Sequence, residues 1–135
     1  MPIPHKLGLF FQHPDMFIQK VDFETAAAFI HGFDVACNLG VLVGFREWLI
    51  LKLEHGNNFA WPQLFLHFAF PESDAPSTQE LPKADQNRLI GLLSEVLEAF
   101  WKEKDTTGLQ RIFVRHAEWL KTQEWYREEN STAIP

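Results

Sequence analysis

Apolar residues recur at helical spacing along most of this chain, and polar breaks divide the recurrences into successive amphipathic segments. Phe23, Ala26, Phe29, Ile30, Phe33 and Cys37 share one face of a helix predicted over 23–38. Asp22 is placed to cap it, Glu24 lies in the first turn where the dipole favours acid, and Asn38 and Gly40 supply the stop. The second predicted helix, 42–54, is apolar nearly all round. Leu42, Phe45, Leu49 and Leu53 make one face, and Val43, Trp48, Ile50 and Leu51 cover most of the rest. A helix of that kind belongs at the centre of a domain, with Arg46 and Lys52 snorkelling outward.

Pro62 opens a short third helix over 62–69, although QLFLHFAF also fits a strand over 63–70. The polar, proline-rich stretch 71–84 reads as a loop. Asp85 would cap an amphipathic helix to about 103, carrying Leu89, Leu92, Leu93, Val96, Leu97, Phe100 and Trp101 on one stripe. Thr107 with Gln110 has the form of a capping box for a last helix over 108–127, whose inner face holds Leu109, Ile112, Phe113, His116, Trp119 and Leu120. Residues 128–135 read as a frayed tail. The expected fold is mostly α. It is a single domain over 1–127, a compact bundle of four to five helices around the apolar central helix, with an extended N-terminal arm at 13–21.

Gly32 sits in the middle of the first predicted helix, where glycine costs roughly 1 kcal/mol relative to alanine. Ala28, Gly32 and Ala36 lie four apart and form a narrow strip. Close approach of another backbone, either the arm or the apolar helix, is the expected compensation.

Composition adds thirteen Phe and five Trp in 135 residues, enough aromatic mass to fill a core and to anchor a partner. The net charge is −6, and residues 1–82 hold four basic side chains against nine acidic ones. That balance argues against nucleic-acid binding and suits a basic protein partner. One cysteine, Cys37, allows no internal disulfide, and its place on the apolar stripe predicts a buried, inert thiol. The N-terminal stretch lacks a signal-peptide pattern, and no run approaches the roughly 18 apolar residues of a membrane span. The expectation is a cytoplasmic, non-membrane protein.

Catalytic chemistry is not legible. Glu24, His31, Asp34 and Asn38 share the polar face of the first helix, yet no second histidine joins His31 at a metal-ligand interval, so no metal and no cofactor is expected. Glu95 and Glu98 project from a solvated face, and His116 reads as a satisfied core histidine. Phosphate loops and nucleophile elbows are missing from the pattern.

The ordered series His13-Pro14-Asp15-Met16-Phe17-Ile18-Gln19, Phe29-Ile30-His31-Gly32-Phe33-Asp34-Val35-Ala36, Phe45-Arg46-Glu47-Trp48-Leu49 and Asn58-Phe59-Ala60-Trp61 resembles a group of small uncharacterised bacterial proteins. Their pattern runs R-P-x-M-Y-L-G, F-L-x-G-Y-x-x-A, F-x-x-W-L and N-x-x-W. His13, Phe17 and Gln19 depart from its Arg, Tyr and Gly. A similar string in the ATPase region of type II topoisomerases comes with nucleotide-binding glycine loops that this chain lacks.

The resemblance implies an immunity- or antitoxin-like component of a bacterial competition system, acting by occluding a basic partner such as a toxin. Asp15, Asp34, Asn57, Asn58 and Trp125 are the expected contact residues. One alternative is a small-molecule or peptide pocket between the arm, Gly32 and the 71–84 loop. Another is self-association as a homodimer through Val35, Trp125 and Tyr126.

Overall fold

Residues 4–126 are described by the computed structural model, and over them the chain is mostly helical. Six α-helices follow in order: α1 (His5–Gln12), α2 (Phe23–Ala36), α3 (Phe45–Leu53), α4 (Trp61–Ala69), α5 (Lys83–Thr106) and α6 (Leu109–Lys121). A 3₁₀ turn at Pro14–Met16 links the first two, and no strand occurs among the described residues. The expected tail at 128–135 and the last residue of the helix expected over 108–127 lie outside the described residues.

The apolar segment around 42–54 takes the central place expected of it. Phe45, Trp48, Leu49 and Ile50 of α3 are buried, and α3 packs against α4, α5 and α6. The Phe45 ring meets those of Phe100, Trp61 and Trp48 with centroids 5.2, 5.7 and 6.1 Å away. On the α5 side, Trp48 donates its indole N–H to the Glu103 carboxylate, while Lys52 lies 5.1 Å above the Trp48 ring and 3.9 Å from Glu103.

α3 starts later than its apolar pattern suggests because Gly44 adopts φ +89° immediately before it. That conformation is what requires glycine; a Cβ there would also displace the tip of the Leu109 side chain of α6. α4 is a helix, which settles the strand alternative for 63–70.

α1 was not expected. Gly8 and Gln12 interrupt its apolar pattern, yet Leu7 and Phe10, three apart, are fully buried. Tertiary packing outweighs the weak local signal. Phe10 stacks on Phe29 of α2 at 4.3 Å, and Phe17 of the arm meets both rings at 5.9 and 5.7 Å. The arm therefore packs on α2, as expected, through aromatic edges.

It does not pack on Gly32. Ala28, Gly32 and Ala36 are all exposed, and a Cβ on Gly32 would meet nothing within 4 Å. The expected close packing of that strip is absent because α2 turns Phe23, Ala26, Ala27 and Ile30 inward and leaves the strip on its outer side. Gly32→Ala should consequently stabilise the protein by about 0.5–1 kcal/mol in urea unfolding, by restricting the unfolded chain and favouring the helix. Destabilisation would mean that another chain segment needs the space.

Asp22 caps α2 as expected, accepting from the Thr25 N–H at 2.8 Å, and neighbouring hydrogen bonds hold its carboxyl below the usual range in spite of burial. At the other end Asn38, at φ +57°, closes a Schellman motif: Leu39 N–H reaches the Asp34 carbonyl at 2.8 Å, and Asn38 N–H the Val35 carbonyl at 3.1 Å. Cys37 lies at this exposed helix end, so the expectation of a buried thiol is corrected.

Two further caps differ from expectation. α5 begins two residues before Asp85, behind Pro82, and Asp85 falls in its first turn. Gly108 at φ +97°, and not Thr107, precedes α6. α6 lies at the margin of the bundle with Ile112 as its one buried residue, so Phe113, expected inside, is 38% exposed.

The 71–82 segment is fastened to the fold. Pro76 is buried, and the buried Gln86 side chain holds two points at once, accepting from Phe23 N–H at 2.9 Å and donating to the Thr78 carbonyl at 2.8 Å. No helix among the described residues is long and apolar enough to cross a membrane.

Candidate functional site

Three of the five expected contact residues converge. Asn57 and Asn58, in the turn between α3 and α4, line one groove with Trp125 from the segment after α6. His55, Gly56, Trp119 and Gln123 complete the lining, and the volume is ≈ 320 Å³.

Local chemistry fixes both walls. Arg46 clamps the α3–α4 turn from behind, donating from Nε to the Phe59 carbonyl at 2.8 Å and from Nη2 to the Asn57 carbonyl, while Nη1 lies 3.3 Å from Glu47. The Asn57 side chain is also committed: its Oδ1 lies 2.9 Å from His116 Nε2, which joins the turn to α6. His55 and Phe59 each pack a ring against the buried His67, at 5.6 and 5.1 Å.

The opposite wall is aromatic. α6 ends at Lys121, Thr122 turns its hydroxyl back to the Trp119 carbonyl at 2.6 Å, and the following turn places Trp125 edge-to-face with Trp119. Their centroids are 6.4 Å apart and their planes are inclined at 68°. Trp125 is 55% exposed. His116 lies nearly parallel to Trp119 at 6.1 Å and outside the groove lining, supporting that indole from the bundle side.

The other two expected contact residues lie elsewhere. Asp15 is exposed in the 3₁₀ turn, and it stays a surface residue apart from the groove lining. Asp34 is corrected outright. It is 6% exposed, and its Oδ1 accepts from the N–H groups of Val41 and Leu42 at 2.9 and 2.8 Å. The descent into α3 brings two backbone donors over α2, and the carboxylate satisfies them. The polar face on which it was placed with Glu24, His31 and Asn38 is interrupted by that descent. Sequence spacing alone missed Trp119 and Gln123, because neither the end of α6 at Lys121 nor the 122–125 turn carries a glycine or proline signal. It missed His55 because the opposite wall of the groove comes from the far end of the chain.

Burial pushes His116 below its usual value of 6.5; Glu47 opposes that shift and Arg46 adds to it. As pH falls below about 6.5 the unfolded chain takes up a proton here before the folded chain does, so stability declines and then levels off below the folded-state value. His116→Asn should flatten that part of the stability–pH curve in urea unfolding at successive pH values. An unchanged difference between wild type and variant across that window would contradict the assignment.

Other depressions lie elsewhere on the described surface. One of ≈ 490 Å³ lies between the arm and the loop, lined by Gln19, Asp22, Glu24, Thr78 and Gln86. Another of ≈ 440 Å³ adjoins it, where Ala28, His31 and Leu66 face Pro76 and Gln79. A third of ≈ 710 Å³ runs along the outer side of α5, floored by Phe70, Leu89 and Leu92. Among the described residues no group of three or more His, Cys, Asp or Glu side chains is disposed to hold a metal ion.

These features define a small helical bundle that presents an aromatic-walled groove between one interhelical turn and the end of its last described helix. No protein-family model, curated protein or solved structure matches the chain.

Proposed function

We propose that this is a protein-binding module of immunity- or antitoxin-like type, which occludes a basic partner through the groove between residues 55–58 and 119–125. The observation that carries the reading is the convergence of Asn57, Asn58 and the exposed Trp125 on one groove. An exposed tryptophan beside a fixed polar turn is the composition of an interface anchor. The net charge of −6 supports a basic partner by steering its approach.

The test is capture from lysate of the source organism with wild type and Trp125→Ala side by side, followed by co-expression with the captured protein. The reading requires a basic partner that is lost from Trp125→Ala, is released by raised salt and has its activity blocked by the wild-type chain. A partner indifferent to Trp125, or none recovered at low ionic strength, overturns it.

A second reading is a peptide-binding domain. Its support is the pair of adjoining depressions between the arm, the outer face of α2 and the 76–79 segment, which share Glu24, Thr78 and Gln79. Ala28 and His31 line the second of them, and Gly32 lines neither.

A further inference from the structure

We infer that the corner formed by Trp119 and Trp125 is a receptor for a single guanidinium group, an arginine side chain of the partner; this rests on the protein-binding reading and names the chemistry of its anchor. The two indoles meet edge-to-face at 68° with centroids 6.4 Å apart, and the exposed Trp125 brings a π surface to the groove for a cation. His116 stacks on Trp119 and holds one side of the corner in place, and Trp125 is exposed enough to receive a ligand.

At ≈ 320 Å³ the groove is large enough to take in one arginine side chain.

Charge and hydrogen bonding agree. None of the described lining residues is a lysine or arginine. The nearby Arg46 is committed to the carbonyls of Asn57 and Phe59 and to Glu47. Asn58 and Gln123 add side-chain amides to the lining, and Gln123 donates from Nε2 to the Trp119 carbonyl and the Thr122 hydroxyl. Its oxygen is then the group left to accept from a planar guanidinium, which stacks on indole faces more readily than a strongly hydrated ammonium.

The experiment compares Nα-acetyl-arginine amide with its uncharged isostere Nα-acetyl-citrulline amide, titrated into the whole chain while the indole N–H signals are followed by NMR. The Trp119 and Trp125 signals should move with the arginine probe while those of the buried Trp48, Trp61 and Trp101 stay. The citrulline probe should bind roughly two- to fivefold more weakly, the range expected for a cation–π contact at an exposed site. Trp125→Leu should abolish the preference with the circular dichroism unchanged, and Trp125→Phe should retain a reduced one.

Equal affinities in the wild type, or no movement of the two groove signals up to the solubility of the probe, overturns the inference without recourse to any variant. A partner captured in a Trp125-dependent manner by a chain showing no arginine preference removes the guanidinium assignment alone. An arginine preference in a chain that captures no partner removes the proposed function alone.

Discussion

Phe45→Ala is expected to lower the free energy of unfolding by about 3–5 kcal/mol, the range for truncating a fully enclosed phenylalanine. Phe45 is fully buried and its ring adjoins three others, contributed by α3 itself, α4 and α5. Deleting it opens a cavity where three helices meet, and indoles on two of its sides are too rigid to collapse into the space. Domains of this size are stable by only about 5–15 kcal/mol, so the loss is a large fraction of the whole. Urea unfolding followed by circular dichroism gives the measurement. A loss under about 1 kcal/mol would mean that α3 is not the centre of the bundle.

Asp34→Ala is expected to cost about 2–4 kcal/mol, although the side chain contributes little apolar area. It removes the acceptor for the N–H groups of the buried residues Val41 and Leu42. Lys104 of α5 adds to the same junction. It donates to the Gly40 carbonyl at 3.3 Å and lies 5.8 and 5.9 Å from the Phe100 and Trp101 rings. Burial holds that ammonium below its ordinary value, with Asp34 opposing the shift. Asp34→Asn keeps an amide oxygen at the same point and should recover much of the loss. If Asn proves as damaging as Ala, the two backbone bonds are not what the carboxylate supplies.

The central helix was legible because its apolar residues cover every side, a pattern that only burial explains. The Asp22 cap and the Asn38 stop were legible because each acts within a few residues of itself. Asp34 was misread for the complementary reason: its partners lie beyond the end of its own helix, where helical spacing carries no information. Gly32 was misread as a contact, since a glycine in a helix signals either close approach or indifference and the sequence does not separate them. At the groove, Asn57, Asn58 and Trp125 could be nominated singly as turn formers and as an aromatic off the main stripes. Their meeting depends on how α6 crosses α3, which no local pattern encodes.

Gln86 has a wider consequence. One amide spans 63 positions of sequence to the first N–H of α2 and also secures the loop carbonyl at Thr78. The stretch from Pro71 to Ala75 is thus an exposed tether between the end of α4 and the buried Pro76, where added length is entropically cheap. The stretch from Thr78 to Pro82 is part of a clasp. Natural relatives should vary in length in the first stretch and hold their spacing in the second.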